Sequence, residues 1–285
     1  MAALRHVKAL TFDVTGTLVA FRGRLGEHYL ASAKRCGVRF RNENLVALEN
    51  GFDKAYAETH ELYPCFGAGA VSTKDWWRRC IVRSFEIARD DEGHDPDTPA
   101  LDAGQQERVF QRIYSLFGSH VTYGVFPDVV PFLTWARRKG IVTGIISNAD
   151  ERYGDAILPM LDLSDHLDFN VFARDVHAMK PEPRIFDVAV EKANVARSAL
   201  HGADASTPIA PEDVLHVGNS FSKDFVGARN AGMKAVLLDR FGGDEGDEWR
   251  SRGAPVVRDL TEVLEHVARG NYALGTAAAP PTVDF

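Results

Sequence analysis

The sequence predicts an α/β protein with a Rossmann-like, doubly wound parallel sheet and a long helical insertion after the first strand. Two observations lead to this prediction. From about residue 125 onward, short apolar runs alternate with segments of helical spacing, which is typical of βα units joined by right-handed crossovers. Between Phe21 and Gly118, apolar residues instead recur at helical steps throughout, which predicts helices without strands.

The first strand is predicted from the apolar run that begins at Val7 and delivers Asp13 onto a turn. A carboxylate at the carboxyl end of a parallel strand lies where open α/β sheets bind ligands. Gly16 allows the chain to turn sharply, and Thr17 brings a hydroxyl close to the acid. The segment therefore indicates an active site. The alternative is that Asp13 only caps a turn after an edge strand.

The helical insertion is interrupted twice. An apolar break at residues 63–69 contains hinge-like glycines, and a polar break at residues 90–97 has the composition of a solvated loop. The amphipathic helices are predicted at residues 26–34, 43–60, 73–88 and 105–117. No internal repeat relates them.

Helices and strands alternate in the chain that follows the insertion. Helices are predicted at residues 129–139, 184–193 and 225–231, and strands at residues 141–146, 169–172, 214–217 and 235–238. Residues 199–211 are rich in small side chains and are predicted to form an inserted surface loop. The tail of residues 270–285 is predicted to be flexible.

Composition narrows the range of functions. The 285 residues are 45% hydrophobic and 26% charged, with a net charge of −7, which is ordinary for a globular protein. No basic stripe is present, so we expect no nucleic-acid partner, and no apolar run is long enough to span a membrane. The first strand starts too early for a signal or transit peptide to precede it. The cytoplasm is therefore the expected location, or an organelle matrix if a presequence has been removed.

The cysteines and histidines do not show a metal-binding pattern. Cys36, Cys65 and Cys80 are few and lack CxxC spacing, which predicts a reducing compartment and no zinc site. His177 and His216 also lack the spacing of metal ligands. Because His216 lies within a predicted strand, we expect it to be a hydrogen-bonded core residue.

The segment LTFDVTGT at residues 10–17 resembles hhhDxxGT, the first motif of the haloacid dehalogenase-like hydrolases. The resemblance implies that Asp13 is a nucleophile, which forms a covalent aspartyl intermediate that water then cleaves. It also implies a catalytic role for Thr17 and a substrate-binding role for Gly16.

Two further segments resemble the second and third motifs of that family. The second motif is a strand that ends in Ser or Thr, here Ser147, and Asn148 follows it. The third is a lysine in the pattern KPxPxIF, which residues 180–186 reproduce closely as KPEPRIF. The resemblance implies that Ser147 and Lys180 hold the phosphoryl group or carboxylate of a substrate and that Asn148 contributes to substrate binding.

The fourth motif, normally GDxxxxD, reads GNSFSKD at residues 218–224. The resemblance implies a Mg²⁺ site formed by Asp13, the Thr15 backbone carbonyl, Asn219 and Asp224. The first acid of this motif is replaced by Asn219, and Mg²⁺ prefers carboxylates to uncharged amides. We therefore expect a Mg²⁺ site that is weakened or absent.

The other departure from the family pattern is Thr15. Phosphatases of the family carry a second Asp at this position, two residues after the nucleophile, as general acid and base. Such assistance is typically worth roughly 10²–10⁴-fold in rate, so its loss predicts slow chemistry. P-type ATPases also have Thr there, and haloacid dehalogenases lack the second Asp and work without metal.

The resemblance also implies a division into domains. A helical insertion at this position is a mobile cap over the active site in the family, and a closing cap would exclude water. The implied α/β core comprises residues 1–20 and 119–269, the cap comprises residues 21–118, and the tail comprises residues 270–285. Within the family, the chain is most similar to a eukaryotic branch and its plant relatives.

These features lead to three hypotheses about function. The first is hydrolysis of a small phosphate monoester with Mg²⁺. The second is a catalytically weak or inactive protein that serves as a binding or structural subunit, with a protein partner at the tail or the inserted loop. The third is a metal-independent dehalogenase, which needs an arginine near the halide. Arg22 and Arg24 are the nearest to Asp13 in the sequence.

Overall fold

The computed structural model of the chain describes residues 7–38, 44–91, 100–202 and 207–268. Within these ranges the strands are β1 (Ala9–Phe12), β2 (Val19–Phe21), β3 (Tyr123–Val125), β4 (Val142–Ser147), β5 (Phe169–Phe172), β6 (Val214–Gly218), β7 (Lys234–Leu238) and β8 (Val256–Val257). A parallel sheet has the order β5-β4-β1-β6-β7-β8. The predicted α/β class and doubly wound sheet are therefore confirmed.

Helices form the insertion and cover both faces of the sheet. The insertion contains α1 (Leu25–Arg35), α2 (Leu45–Leu62), the single turn α3 (Pro64–Gly67), α4 (Thr73–Asp91) and α5 (Ala103–Leu116). The sheet carries α6 (Val129–Arg138), α7 (Leu158–Met160), α8 (Ala173–Val176), α9 (Pro183–His201), α10 (Gly227–Asn230), α11 (Asp244–Ser251) and α12 (Leu260–Ala268). The four helices predicted in the insertion correspond to α1, α2, α4 and α5.

The strand order reverses beside β1, which lies in the middle of the sheet. Ala9 pairs with Val142 of β4 on one side and with Val214 of β6 on the other. Such a reversal opens a crevice at the carboxyl ends of the strands, and ligands bind there in open α/β sheets. Asp13 follows β1 directly and therefore lies at this crevice.

Both faces of β1 are buried, because successive side chains of a strand point to opposite sides of the sheet. Leu10 and Phe12 belong to one core, in which the Phe12 ring lies edge-on to Phe132 of α6 with 6.0 Å between centroids. Ala9 belongs to the core on the other face, together with Phe186 of α9. A third core lies within the insertion, among apolar residues of α1, α2, α4 and α5.

The short antiparallel strands β2 and β3 are not predicted by the sequence pattern. Each contains three residues, which are too few for an alternation of polar and apolar residues to be recognised. Val19 pairs with Val125, and Phe21 pairs with Tyr123. The two ends of the helical insertion are thus joined by a small sheet that starts close to the turn after Asp13. Phe21, which the sequence analysis assigned to the helical part, lies in a strand.

Further differences concern the last third of the chain. The helix predicted at residues 184–193 continues to His201, because neither glycine nor proline interrupts it before Gly202. The inserted loop accordingly begins later than predicted. The segment predicted as a helix at residues 225–231 begins with a wider, π-helical turn at Phe221–Val226. The elements α11, β8 and α12 follow the last predicted strand and were absent from the prediction.

Some predictions concern residues outside the described ranges. These are most of the polar break, residues 203–206 of the inserted loop, and the tail of residues 270–285. Among the helices of the described residues, none has both the length and the apolar character required to cross a bilayer.

Candidate active site

The turn after β1 fixes the position of Asp13. The Asp13 backbone N–H donates to the Val217 carbonyl of β6 at 3.0 Å, which continues the ladder between the two strands by one residue. Gly16 has φ +83°, and a Cβ there would lie 2.2 Å from the Asn219 amide nitrogen. The backbone conformation therefore favours glycine at position 16, and a side chain there would also displace the Asn219 amide.

Lys180 links the predicted nucleophile to the fourth motif. Its Nζ lies 2.6 Å from Asp13 Oδ1 and 2.6 Å from Asp224 Oδ1. Only 4% of Lys180 is exposed, so the ammonium and both carboxylates interact where solvent screening is weak. Three residues that the sequence assigned to separate motifs thus form one buried ionic cluster.

Asn148 positions Lys180. Its Oδ1 accepts from the Lys180 backbone N–H at 2.7 Å, and its Nδ2 donates to the Lys180 carbonyl at 3.0 Å. Both polar groups of the amide therefore bind the backbone of the third motif. These contacts show that Asn148 holds the lysine in place, and its substrate-binding role stays a prediction.

Asp224 is fully satisfied by protein donors. Its Oδ1 accepts from Lys180 Nζ and from His216 Nε2 at 3.2 Å, and its Oδ2 accepts from the backbone N–H groups of Asn219 at 3.1 Å and Ser220 at 2.9 Å. His216 Nδ1 lies 3.0 Å from the Thr11 hydroxyl. His216 is the hydrogen-bonded core residue expected from its place in a strand, and it also supports Asp224 from behind.

The charges of this cluster are mutually adjusted. Burial opposes the ionisation of Asp224, but the Lys180 ammonium and the His216 hydrogen bond outweigh it and hold the pKa of Asp224 below its usual range. Burial also opposes the charge of Lys180, yet the two carboxylates raise the pKa of Lys180. Burial raises the pKa of Asp13, because Lys180 compensates for it only in part and Asp224 adds repulsion. The Asp224–Lys180 pair is therefore ionised, whereas the ionisation of the neighbouring Asp13 costs more free energy.

The hydroxyl groups of three motif residues, Thr15, Thr17 and Ser147, differ in their hydrogen bonds and burial. Thr15 Oγ1 is 3.0 Å from the hydroxyl of Tyr153. Thr17 Oγ1 is buried without a hydrogen-bond partner among the described residues, and such a group is available to water or a ligand. Ser147 is buried at the carboxyl end of β4, the strand next to β1.

The residues predicted to hold Mg²⁺ do not fit that ion well. Both oxygens of Asp224 are already occupied by four donors, and Asp13 Oδ1 is occupied by Lys180. Among the described residues, no group of three or more His, Cys, Asp or Glu side chains is placed to hold a metal ion. The oxygen atoms that remain free to bind a metal are Asp13 Oδ2, the Thr15 backbone carbonyl and the Asn219 side-chain amide. They are weak ligands for a cation that prefers carboxylates.

Restoring the missing acid is expected to create affinity for Mg²⁺. Asn219→Asp adds a second free carboxylate beside Asp13, so we expect Mg²⁺ binding at least about tenfold tighter, which corresponds to roughly 1.4 kcal/mol. Isothermal titration calorimetry measures this. Asn230→Asp, at an exposed position of α10, is the matched control for the change in charge. Equal Mg²⁺ affinities of the two variants would contradict the assignment of Asn219 to the metal position.

The segment after Asn148 joins the site to the helical insertion. Trp77 Nε1 of α4 donates to Asp150 Oδ2 at 2.6 Å. Arg152 stacks on the Tyr114 ring at 3.7 Å and donates to the Tyr114 carbonyl at 2.8 Å. Arg174 of α8 donates to the Phe66 carbonyl within the break that follows α2 and to the Val71 carbonyl just after it. Asp150, Arg152 and Arg174 were not identified from the sequence, because nothing in their local pattern distinguishes them from surface residues.

The break at residues 63–69 is a fixed turn rather than an open hinge. Cys65 and Phe66 have φ of 48° and 57°, in the left-handed region, and both are buried. The Phe66 ring packs against Trp76, with 5.1 Å between centroids. The break thus packs against α4 and against Arg174 on the sheet side.

A cavity of about 150 Å³ lies between the insertion and the sheet. Most of its wall is apolar and aromatic, with rings such as Phe52, Trp77 and Phe117, while Arg152 and Tyr153 bring polar groups. Because the Tyr153 hydroxyl also contacts Thr15, this cavity adjoins the turn that carries Asp13.

Arg240 holds the same turn from the opposite side. Its guanidinium donates to the Thr17 carbonyl at 2.7 and 3.1 Å and to both oxygens of Asp128 at 2.7 and 2.8 Å. Asp128 also accepts from the Leu260 backbone N–H at 2.7 Å. These contacts make Arg240, in the loop after β7, a support for the turn after β1.

Replacing Arg240 with Lys is expected to lower the free energy of unfolding by about 1–3 kcal/mol. An ammonium cannot bond the carboxylate and the carbonyl together as the guanidinium fork does, so buried acceptors lose their donors. Arg250→Lys is the matched control, because its pair with Asp247 is exposed and is worth less than about 1 kcal/mol. Urea denaturation compares the two variants, and equal losses would contradict a supporting role for Arg240.

The two arginines considered for a dehalogenase are exposed. Arg24 pairs with Glu49 at 2.6 Å, and Arg22 lies beside Gly124 of β3. Neither makes a hydrogen bond or ion pair with Asp13 or Lys180 among the described contacts.

Comparison with known proteins identifies the family. The family model described as haloacid dehalogenase-like hydrolase matches residues 7–232. The chain belongs to the haloacid dehalogenase-like hydrolases. The family indicated by the four motifs is thereby confirmed.

Relatives with curated names agree with this assignment. The chain is 29% identical to haloacid dehalogenase-like hydrolase domain-containing protein 3 of Mus musculus, and the match covers 84% of each chain. The protein of the same name from Homo sapiens is 28% identical, again over 84% of each. The rhythmically expressed gene 2 protein of Drosophila melanogaster is 25% identical, over 84% of this chain and 85% of that protein.

Solved structures of haloacid dehalogenase-like hydrolases have the same fold. A 2-haloacid dehalogenase from Pseudomonas syringae matches with a TM-score of 0.59 and 23% identity, over 92% of this chain and 99% of that one. A HAD phosphatase from Thermococcus onnurineus matches with a TM-score of 0.51 and 23% identity, over 91% and 97%. Because identity is this low and the two proteins have different activities, the likeness concerns the fold alone.

Proposed function

We propose that this haloacid dehalogenase-like hydrolase cleaves a small phosphate monoester through a covalent intermediate on Asp13. The observation that carries the proposal is the buried contact of Lys180 with both Asp13 and Asp224 at 2.6 Å. A buried cationic group beside a carboxylate nucleophile reduces the repulsion that a negatively charged phosphoryl group meets when it approaches.

The proposed chemistry assigns each group a task. Asp13 Oδ2 accepts no hydrogen bond from the described residues, so it is the oxygen that attacks phosphorus, while Oδ1 stays with Lys180. The unpartnered Thr17 hydroxyl and the Ser147 hydroxyl supply donors for the phosphoryl oxygens. The leaving group extends toward the aromatic cavity below the helical insertion. Closure of the insertion as a cap over the substrate is part of the proposal.

Mg²⁺ has a reduced part in this proposal. Haloacid dehalogenase-like hydrolases generally use the ion, but the donors around Asp13 fit it poorly. We therefore propose no step through a metal, and Lys180 carries the positive charge opposite the substrate. Stimulation by Mg²⁺ is expected to be small in the wild type and larger in Asn219→Asp.

A second candidate is a binding or structural subunit without turnover. Thr15 and Asn219, which replace two expected acids, favour it. The partner surfaces suggested for it, the tail and the inserted loop, lie wholly or partly outside the described residues and stay predictions. The cluster of Asp13, Lys180 and Asp224 argues against a role in binding alone. A protein selected only for binding has no need to keep these charged groups buried.

The test is phosphate release from a panel of phosphate monoesters, with and without Mg²⁺, with Asp13→Asn as the blank. Turnover that depends on Asp13 supports the hydrolase. No release above the blank from a folded wild-type protein would overturn the proposal and leave the binding role. A partner pull-down would then be the next experiment.

A further inference from the structure

The Thr15 hydroxyl has a partner that the first motif does not supply. Its Oγ1 lies 3.0 Å from the hydroxyl of Tyr153, and either oxygen can be the donor. Thr15 belongs to the turn after β1, and Tyr153 belongs to the segment after β4, so the contact connects the ends of two neighbouring strands. Thr15 itself stands two residues after Asp13, at the position where phosphatases of the family have an acid.

Tyr153 is partly buried against the core of the sheet. Its ring lies edge-on to Tyr123, with 6.4 Å between centroids, and the Tyr123 hydroxyl donates to the Phe117 carbonyl at 3.0 Å. These contacts hold the Tyr153 phenol one hydrogen bond from Thr15.

A chain with Thr15 alone would lack a proton source for the leaving group. A threonine hydroxyl can relay a proton but cannot give one up, because an alkoxide is too basic to be left behind. A phenol can give one up, since phenolate is a far weaker base than alkoxide. The contact with Tyr153 supplies what Thr15 lacks.

We propose that Thr15 and Tyr153 form a proton-transfer pair that replaces the missing carboxylic acid. Thr15 contacts the leaving oxygen, and Tyr153 acts through Thr15 by supplying the proton. This inference rests on the proposed phosphate-ester function.

The reaction takes two steps, formation and hydrolysis of the aspartyl intermediate. Asp13 Oδ2 bonds to phosphorus as the bond from phosphorus to the leaving oxygen breaks. That oxygen takes the Thr15 proton, Thr15 takes the Tyr153 proton, and an alcohol leaves with Tyr153 as phenolate. Water then attacks phosphorus and gives one proton through Thr15 to the phenolate. The bond from phosphorus to Asp13 breaks, hydrogen phosphate leaves, and Asp13 and Tyr153 return to their starting states.

The dependence of rate on the leaving group tests this proposal. Benzyl phosphate and 4-nitrophenyl phosphate are similar in size, but the benzyl alkoxide needs a proton to leave and nitrophenolate does not. For Tyr153→Phe we expect kcat/KM to fall roughly 10²-fold with benzyl phosphate and less than about threefold with 4-nitrophenyl phosphate. Thr15→Val is expected to show the same selective loss, and Thr15→Ser, which retains the hydroxyl, is expected to regain most of the rate.

Tyr56→Phe is the matched control, because it also removes the phenol hydroxyl of a partly buried tyrosine, within α2 of the insertion, and it should keep the leaving-group dependence of the wild type. Equal losses with both esters in Tyr153→Phe and Thr15→Val would overturn the inference, and so would an unchanged rate with benzyl phosphate. If Tyr153→Phe does not fold, the Thr15→Val and Thr15→Ser pair decides. A wild type that cleaves neither ester overturns the phosphate-ester function itself.

Discussion

Replacing Asp13 with Asn is expected to abolish phosphate release, with a fall in kcat of at least about 10⁴-fold, the scale on which enzymes lose rate without their covalent nucleophile. The amide has nearly the same shape as the carboxylate but cannot attack phosphorus. Because Lys180 retains Asp224 at 2.6 Å, the buried cluster stays paired and the fold is expected to persist. The expected fall in kcat therefore comes from the missing carboxylate and not from unfolding.

Phosphate release under saturating substrate measures this effect, with circular dichroism as the check on folding. Asp155→Asn is the matched control, because Asp155 is exposed on the segment after β4 and should not alter kcat. A kcat of Asp13→Asn within tenfold of the wild type would exclude Asp13 as the nucleophile, whatever the substrate.

Replacing Lys180 with Met is expected to lower the free energy of unfolding by about 3–5 kcal/mol at neutral pH and to eliminate turnover. Met retains most of the apolar volume of the side chain, so the main loss is the charge. Asp13 and Asp224 then remain buried next to each other without a cation, and breaking a buried ion pair on one side is costly for that reason. Urea denaturation measures the change in stability.

The pH dependence of this variant separates loss of charge from loss of packing. In the wild type, the lowered pKa of Asp224 contributes stability that is present above its ordinary value and is lost as the pH falls through the folded value. Without Lys180, burial and mutual repulsion raise the pKa of both carboxyls, so the folded state binds protons more tightly than the unfolded chain. The stability gap between variant and wild type is therefore expected to narrow between about pH 8 and about pH 5.

Lys223→Met is the matched control for Lys180→Met. Lys223 directly precedes Asp224 but is exposed, so the same substitution there should change the free energy of unfolding by less than about 1 kcal/mol. If the difference in the free energy of unfolding between Lys180→Met and the wild type does not change with pH, the loss comes from packing. That result would contradict the ionic role of Lys180.

The motifs identified the family and the fold because each of them is a short, continuous segment. The strand before Asp13, the KPEPRIF pattern at Lys180 and the segment that leads to Asp224 each combine a secondary-structure signal with a reactive side chain. Their order along the chain, together with the alternation of helices and strands, was sufficient to predict the parallel sheet. The three-residue strands β2 and β3 were too short to leave such a signal.

The working geometry of the site depends on contacts between residues that are far apart in the chain. Lys180 meets Asp13 across a separation of 167 residues, and Arg240 reaches the Thr17 carbonyl across 223. No local pattern encodes such contacts, because they arise only when the sheet brings the ends of its strands together. The use of Asn148 to hold Lys180, the support of Asp224 by His216 and the pairing of Tyr153 with Thr15 are of the same kind. The sequence by itself determined which chemical groups follow which strands. The tertiary structure decided which of them touch, since contact depends on strand order and packing across the whole sheet.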